Sequence, residues 1–371
     1  MILFRLKILL RIIAACYSTF GLSRELLIYL FRMPLSSLLL DTAFFLDNIF
    51  FPGYRRVEIQ KPIFIMGHPR SGTTFLHRLL SQTGEFVTFE LWHILFPSLV
   101  ARKIVAPLVR LKIKKGKDTV FPKETGHEMK LSSIEEEEFL FYRILNTQFV
   151  GSVGTPLGFG DDGFLDLVYA DKQPNQIRQK TVEFFKGCLK RQAYYLGKRQ
   201  VMTKMNYSVM RIQSLLEAFP DARIVYVVRS PYETIPSHLS LHRNMIDYKW
   251  GLDRIPPHRL RRYFQWRYDY DVRFYQYVEE LIQEGALKPS QFMTISYDLL
   301  KNDLARAIKE ILEFTEIKIS KELRAKIEEQ IQSQGSYHPK HQNLPLEDFG
   351  LSKEKIAKDL SFVFDRYGFK K

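Results

Sequence analysis

The stretch KPIFIMGHPRSGTTFLHRLLS, residues 61–81, decides the fold of this chain. Its four apolar residues at 63–66 are typical of a buried parallel strand. A turn framed by two glycines follows at 67–74, and leucines at helical spacing then predict a helix that ends near Gly84. A strand, a tight turn and a helix in this order bring backbone N–H groups and the positive end of the helix to one point. The sequence therefore predicts an anion-binding loop in an α/β protein.

The turn differs at one decisive position from the phosphate loop of ATP-binding proteins. Gly67 and Gly72 have the separation of the pattern G-x-x-x-x-G-K-[ST], but Thr73 stands where that pattern has lysine. A kinase or ATPase needs that lysine for the β- and γ-phosphates of its nucleotide. The cation of this loop, Arg70, lies two residues before Gly72. We expect the loop to hold a phosphate-like anion in a reaction other than ATP hydrolysis.

A second anion site is predicted at the end of a later strand. Residues 223–228, RIVYVV, are typical of a buried strand, and Arg229 follows them directly, with Ser237 two helical turns further on. In phosphate-loop NTPases an aspartate at a comparable position helps to hold magnesium. An arginine there would repel a metal ion and attract an anion. Two such sites at neighbouring strand ends imply one ligand with two separated anionic groups, and no metal is expected.

Composition narrows the class of partner but does not decide it. The chain has 371 residues, with 55 Lys and Arg against 41 Asp and Glu, so its formal net charge is +14. This charge favours anionic partners such as nucleotides, nucleic acids or acidic membrane surfaces. Cys16 and Cys188 are the two cysteines of the sequence, which leaves no disulfide framework and no cysteine metal site. We expect a reducing, cytoplasmic location.

Residues 1–51 differ from the rest because they are rich in Leu, Ile and Phe with scattered basic residues. The uncharged run from Ile12 to Ser23 is shorter than the ~20 residues of a membrane span, and no cleavage signature of a secretory signal is present. Two interpretations remain: amphipathic helices packed on the domain, or helices that lie on a membrane surface. We expect 1–51 to form this helical region and 52–371 a single α/β domain with a central parallel sheet.

Several acidic and histidine side chains are candidates for acid–base chemistry. Glu90 and His93 follow a predicted short strand at 85–89, and ligands sit at the carboxyl ends of parallel strands. His127 precedes a run of four glutamates at 135–138. Helical neighbours diverge by about 100°, so at most one or two of these glutamates are expected to face a pocket.

The motifs resemble those of sulfotransferases that use 3′-phosphoadenosine 5′-phosphosulfate (PAPS). The segment GHPRSGTT at 67–74 resembles their 5′-phosphosulfate loop, and Arg229-Ser230-Pro231 with Ser237 resembles their 3′-phosphate motif. The segments 219–225, FPDARIV, and 346–351, LEDFGL, are similar to a broad, mostly bacterial branch of the family. In place of that branch's K-S/A-P-x-H segment, residues 203–207 read TKMNY, which keeps the lysine and lacks the proline and histidine.

The resemblance implies a three-layer, P-loop-like α/β fold and specific donor contacts. It places Arg229 and Ser237 on the 3′-phosphate and Lys204 close to the transferring group. It implies that the 5′-phosphosulfate is held by five loop residues: Arg70, Ser71, Gly72, Thr73 and Thr74. For the base, Glu90 lies near the glutamate of the protein-tyrosine branch, and His127 resembles the histidine of an H…PEE segment. These two rank equally, ahead of Glu136, Glu137 and His93.

The function expected from the resemblance is transfer of a sulfuryl group from PAPS by in-line displacement. The predicted catalytic residues are His127, Glu90, Arg70 and Lys204. The acceptor would be a hydroxyl or amine of a lipid, a glycan or a hydrophobic small molecule, with peripheral membrane association as an option. Alternatives are a phosphate-loop nucleotide kinase, or a basic membrane- or nucleic-acid-binding protein with a decayed nucleotide site. For the preferred function, nucleic acid is not an expected partner.

Overall fold

Four parallel strands form the central sheet of the computed structural model, which describes residues 1–126, 128–333 and 343–371. The strands are β1 (Ile63–Gly67), β2 (Thr119–Phe121), β3 (Met129–Lys130), β4 (Met202–Lys204), β5 (Arg223–Val228) and β6 (Phe292–Ser296). The order in the sheet is β4-β1-β5-β6, while β2 and β3 pair with each other in an antiparallel arrangement. β1 is buried along its whole length, as its apolar run predicts for a central parallel strand.

Helices cover both faces of this sheet. The α-helices of the described chain are α1 (Ile2–Phe20), α2 (Arg24–Leu27), α3 (Met33–Phe50), α4 (Thr73–Ser81), α5 (Leu91–Leu95), α6 (Leu99–Lys114), α7 (Leu165–Val168), α8 (Asn175–Leu196), α9 (Ile212–Ala218), α10 (Pro231–Trp250), α11 (Pro257–Gln283), α12 (Tyr297–Asn302), α13 (Leu304–Thr315), α14 (Lys321–Gln332), α15 (Lys353–Asp359) and α16 (Ser361–Tyr367). Successive side chains of β1 point to opposite faces. Phe64 and Met66 join the larger core, while Ile63 and Ile65 join a second core with α4, α13 and α14. The predicted three-layer α/β fold is confirmed.

The register of the sheet brings three strand ends to one edge. Gly67 at the end of β1 lies opposite Val227 of β5, and Ile65 lies opposite Lys204 of β4. The loop after β1, the residues after β5 and the end of β4 therefore share the same edge of the sheet.

The strand predicted at 85–89 does not form as expected, and a single bridge takes its place. Val87 pairs with Val201 in a parallel bridge, in which the Val87 N–H donates to the carbonyl of Gln200 at 2.8 Å. Two residues later, the N–H of Phe89 donates to the carboxylate of Glu137 instead of a neighbouring strand. The ladder stops at Val87 because a side chain takes this backbone donor and α5 begins shortly afterwards.

The N-terminal residues are helical. The long helix Arg24–Phe50 is unusual because, in its α3 part, the buried side chain is polar. A π-helical segment at Ile28–Arg32 joins α2 to α3, so that Arg24–Phe50 forms a continuous helix, long and apolar enough by length and composition to cross a membrane. α1 buries apolar side chains such as Ile8 and Ile12. Among the residues of α3, all of which the structure describes, Asp47 is the buried one. Division of the chain at residues 51 and 52 stays a prediction.

Candidate functional site

In the loop after β1, neighbouring atoms leave no room for a side chain at either of the two glycines. A Cβ atom on Gly67 would lie 2.4 Å from the carbonyl oxygen of Val227, and Gly72 has a φ of 98° with the ring of Tyr297 beside it. Arg70 also has a positive φ, 73°, which is uncommon for a residue other than glycine. α4 begins at Thr73, so its free N–H groups line the inside of the turn. This geometry suits an anion, as the sequence predicts.

Lys204 from β4 supplies the cation at the helix end of the loop. Its Nζ donates to Oγ1 of Thr74 at 2.9 Å and lies 3.5 Å from Oε2 of Glu136. Lys204 and Glu136 are both buried, and the other carboxylate oxygen of Glu136 accepts the N–H of Asn206 at 2.8 Å. A cation, a hydroxyl and a carboxylate thus form a connected chain at the mouth of the loop.

The two arginines predicted at separate anion sites lie next to each other. Nε of Arg70 donates to Oγ of Ser237 at 3.0 Å, and Nη1 of Arg229 donates to the carbonyl of Arg70 at 3.0 Å. Arg229 also bonds to Glu233 at 2.8 Å and stacks over the ring of Tyr297. The side chain of Arg70 is therefore directed toward the residues predicted for the 3′-phosphate, while Lys204 is directed toward Thr74.

A buried ionic network ties the loop to α10 from below. Asp271 lies 3.2 Å from Nε2 of His68 in the loop, 3.1 Å from Nδ1 of His238 and 3.3 Å from Arg267. Burial by itself would raise the pKa of Asp271, but His238, Arg267 and His68 together hold it well below its ordinary value. His238 follows Ser237 in the chain, so Asp271 connects both halves of the donor site.

This network is close enough to hold a cation but is arranged as an ion-pair cluster. The ligand atoms of His68, His238 and Asp271 all lie within 4.8 Å of one another. However, the guanidinium of Arg267 already contacts the carboxylate, and His238 faces Asp271 with one ring nitrogen and the hydroxyl of Tyr207 with the other. We interpret the cluster as structural support for the loop.

The four glutamates of the 135–138 run have four different environments, as the divergence of their side chains requires. Glu135 pairs with Arg78 at 3.4 Å. Glu137 is fully buried, and its carboxylate accepts the backbone N–H groups of Lys204 and Phe89. Burial raises the pKa of Glu137 to about 8. Glu138 accepts from Thr147 and Ser208. Of the four, Glu136 is the one whose carboxylate contacts the side chain of Lys204.

Of the two leading sequence candidates for the base, Glu90 is the one that the structure describes. The carboxylate of Glu90 accepts from the indole N–H of Trp92 at 2.7 Å and caps α5, so its bonds are made at the start of that helix. Burial raises the pKa of Glu90. Nδ1 of His93 accepts the backbone N–H of Glu90 in the same capping box. His127 lies outside the described residues.

Two residues at the site were not found from the sequence. Tyr297 lies under Arg229 and follows β6 directly, so the rule that ligands sit at strand ends would have indicated it. Asp271 lies in α11, among arginines and aromatic side chains. Its signal was the i,i+4 spacing from Arg267, which places both side chains on one face of the helix.

The sheet, the tight loop and the cations at its edge form an α/β fold with a site suited to an anion. The chain belongs to the sulfotransferase family, because a model of that family matches residues 62–321. The resemblance stated from the sequence is confirmed at the level of the family.

Two mycobacterial relatives and two solved structures extend this finding. Omega-hydroxy-beta-dihydromenaquinone-9 sulfotransferase Stf3 of Mycobacterium bovis and that of Mycobacterium tuberculosis are each 24% identical over 323 residues, which is 83% of this chain and 75% of theirs. The structure of sulfotransferase STF1 of M. tuberculosis H37Rv aligns with a TM-score of 0.68 at 18% identity, over 96% of this chain and 91% of STF1. STF9 of Mycobacterium avium aligns with a TM-score of 0.69 at 18% identity, over 91% of this chain and 86% of STF9. These two structures share the fold.

Proposed function

We propose that this protein transfers a sulfuryl group from PAPS to a hydroxyl group of a membrane lipid. The observation that carries the proposal is the chain of contacts from Thr74 through Lys204 to Glu136, beside a loop built for an anion. The family supplies the reaction type, sulfuryl transfer. The kinase alternative is disfavoured because Thr73 replaces the lysine of the phosphate loop, and Lys204 approaches from another strand.

The residues at the sheet edge suit the two ends of the donor. The N–H groups at the start of α4, with Thr74 and Lys204, would hold the 5′-phosphosulfate. Arg229 and Ser237 would hold the 3′-phosphate. We assign Arg70 to this second group as well, since its side chain is bonded to Ser237. This differs from the resemblance, which places Arg70 on the phosphosulfate.

In the proposed reaction, the acceptor oxygen attacks sulfur while the bond from sulfur to the phosphate oxygen breaks. The leaving group is adenosine 3′,5′-bisphosphate. Lys204 would stabilise the negative charge that develops on the leaving phosphate, as preorganised donors do in such reactions. Glu136 would take the proton of the acceptor hydroxyl, because its carboxylate is next to Lys204 at the mouth of the loop. Glu90 and His127 remain the candidates from the sequence.

A lipid acceptor is supported by two independent observations. The Stf3 relatives are named for a hydroxylated menaquinone, which is a lipid. In addition, α1–α3 expose many large apolar side chains, including Phe31, Leu35 and Leu38, each more than half exposed. Helices of this kind bind membrane interfaces when an apolar face lies outward. The buried ion pair between Asp47 and Arg191 of α8 fixes the end of α3 to the domain, which favours a helix lying on the membrane.

The donor assignment is tested by binding of adenosine 3′,5′-bisphosphate, measured by calorimetry. Arg229→Gln should weaken binding by about 30-fold or more, because loss of a hydrogen-bonded charge partner in a partly buried site costs ~2 kcal/mol or more. The control, Arg56→Gln, removes an exposed arginine and should leave binding unchanged. Equal affinity for both variants would exclude this donor site.

The base assignment is tested by transfer of labelled sulfate from PAPS in lipid extracts, with three variants compared. Glu136→Gln should lower kcat by about 100-fold or more while donor binding persists, as expected for a general base. Glu90→Gln and His127→Gln should retain most of the activity. If either of these two variants is the one that loses activity, Glu136 is not the base.

The membrane location is tested by co-sedimentation with lipid vesicles. Replacement of Leu35, Leu38 and Leu39 by serine should weaken vesicle binding by roughly 100-fold, because less apolar surface would enter the interface. Serine at the exposed Leu165 and Val120, outside the N-terminal helices, serves as the control. Similar binding by both variants would contradict a membrane-facing role for α3.

A further inference from the structure

A cavity of about 590 Å³ lies between the N-terminal helices and the body of the protein. One wall comes from the helix that begins at Arg24 and passes through Arg32, and the opposite wall includes Arg143, Lys249 and Trp250. The volume is in the range of ordinary small-molecule sites. We call this space the cationic cavity, defined by Arg24, Arg32, Arg143 and Lys249.

The charges around the cationic cavity are not balanced by acidic side chains. Among the described lining residues, Glu25 is the one carboxylate, and it is already paired with Arg254 at 3.0 Å. Arg143 donates to the carbonyl of Leu95, and Lys249 donates to the carbonyls of Val153 and Gly154. A carbonyl fixes the position of a cation without neutralising it. Cations gathered in this way favour an anionic ligand, and Arg in particular suits phosphate.

The surface next to the cavity is apolar. Leu27, Leu30 and Phe31 lie on the same helix as Arg24 and Arg32, and each of these three side chains is at least 41% exposed. A ligand that places a phosphate between the cations could therefore lay hydrocarbon chains along the outside of the helix. This combination of a cationic site and an adjoining apolar face matches an anionic phospholipid at the edge of a bilayer.

The cationic cavity is separate from the transfer site. Both are connected to the 3₁₀ segment Glu137–Ile144, but at opposite ends. Glu136, which precedes this segment, contacts Lys204, whereas Tyr142 and Arg143 near its other end line the cavity. A ligand in the cavity would therefore contact neither the loop after β1 nor Lys204.

We propose that the cationic cavity binds the phosphate headgroup of an anionic membrane phospholipid and so fixes the orientation of the protein on the bilayer. The proposal rests on the membrane location in the proposed function, and it is independent of donor and acceptor chemistry. The headgroup phosphate would accept hydrogen bonds from Arg24 and Arg32, and Arg143 and Lys249, which donate to backbone carbonyls, would add positive charge at the opposite wall, while the lipid chains stay in the membrane. Free inorganic phosphate shares this chemistry, so the test must separate the two sources.

The experiment is calorimetric titration of the full chain with monomeric short-chain phosphatidylglycerol. A monomeric lipid contacts one site and does not report the summed charge of the protein surface. Arg24→Gln/Arg32→Gln should weaken binding by about tenfold or more, because the phosphate would lose the charge-assisted hydrogen bonds of both guanidinium groups. Both arginines are exposed at the cavity wall, so the substitutions should leave the fold intact. Lys112→Gln/Lys114→Gln is the matched control, with the same loss of charge on exposed residues of α6.

The outcomes separate the alternatives. The proposal is supported if the Arg24/Arg32 variant loses affinity and the Lys112/Lys114 variant does not. Equal loss in both variants would mean diffuse charge attraction, and tight binding of short-chain phosphatidylcholine would mean an apolar site. If inorganic phosphate bound as tightly as the lipid, the proposal that the ligand is a phospholipid would be wrong. Adenosine 3′,5′-bisphosphate should bind all variants equally, so failure here is distinguishable from failure of the donor site.

Discussion

The donor edge of the sheet and the outer face of α3 differ in which side chains are bonded within the protein and which are exposed. At the donor edge, Lys204, Arg70 and Arg229 each bond to a residue from another element. On α3 the relation is inverted, because apolar side chains face outward and the buried residue is Asp47, bonded to Ser98 and Arg191. The cations of the donor edge are bonded to other groups of the protein, whereas many apolar side chains of α3 are exposed.

The two regions are suited to different tasks: the donor edge to holding a ligand in preformed contacts, and the outer face of α3 to being covered by another surface. Cations held in place before the ligand arrives cost no rearrangement during reaction, which is how charge-stabilising sites act. An apolar face left in contact with water gains free energy when it is covered. On the protein side, Asp47 anchors α3 through polar bonds. On the other side, we propose that a bilayer covers the exposed apolar side chains. The predictions below weaken one region at a time and ask whether the other is affected.

The largest effect is expected from Lys204→Met at the donor edge. Loss of one preorganised donor to a developing negative charge should lower kcat by about 10²- to 10³-fold. Sulfuryl transfer with purified PAPS and a lipid extract measures this loss. Vesicle binding by the same variant should equal that of the wild type, because Lys204 is buried at the sheet edge.

Two controls distinguish lost catalysis from a damaged fold. Arg199→Met removes a nearby exposed cation and should leave kcat unchanged. The double variant Lys204→Met/Glu136→Gln removes the carboxylate that the single variant leaves without its cation. Activity cannot return in the double variant, because Glu136 is the proposed base, so its stability to urea is compared instead. If Lys204→Met were much less stable than both the wild type and the double variant, its loss of activity would come from an unpaired buried carboxylate and not from lost catalysis.

A smaller loss, in stability, is expected from Asp47→Asn on α3. The carboxylate accepts from Arg191 at 2.7 Å and from Ser98 and the N–H of Val100 at 2.8 Å. Breaking a buried ion pair of this kind costs about 3–5 kcal/mol, since the remaining charge keeps no partner. Urea denaturation should show the loss, and kcat at a temperature where the variant is folded should not change.

Asp41→Asn is the matched control on the same helix. Asp41 is exposed and pairs with Arg5 at 2.8 Å, and exposed pairs contribute roughly 0–1 kcal/mol. Equal destabilisation by Asp41→Asn and Asp47→Asn would show that Asp47 does not anchor α3.

The sequence predicted the donor edge better than it predicted the base. Arg229 was assigned to the same edge as the loop after β1 because the carboxyl ends of parallel strands meet there, a rule that needs no side-chain coordinates. Lys204 was placed near the donor by the family resemblance. The glutamates could not be separated in this way. Their orientation depends on backbone N–H groups of Phe89, Lys204 and Asn206, which are distant in sequence. A short local pattern carries no information about such partners.

The sequence could not predict the orientation of the N-terminal helices either. An apolar stripe normally predicts the face that packs on the core. Here the contacts of α3 include a buried aspartate whose partners lie at the start of α6 and on α8, more than fifty residues away. Because the pattern contains no sign of this anchor, the sequence left both packing on the domain and membrane contact open for the same residues.

The smallest effect concerns His93, which lies in α5 between the two regions. Its Nδ1 accepts the N–H of Glu90, so protonation there would break the cap of the helix. Burial, with a further contribution from Arg102, lowers the pKa of His93 to about 2. A histidine with a lowered pKa in the folded state binds fewer protons than in the unfolded state. Its contribution to stability is complete above the unfolded pKa of about 6.5 and is lost as the pH falls toward the folded value.

His93→Gln should remove this pH dependence, because glutamine at the third helical position can also accept the capping N–H and does not titrate. Between pH 6.5 and 5.5 the wild type should lose about 1 kcal/mol more unfolding free energy than the variant, measured by urea denaturation at each pH. His258→Gln, at an exposed position of α11, should follow the wild type. Parallel curves for wild type and His93→Gln would show that His93 takes up a proton in the folded protein.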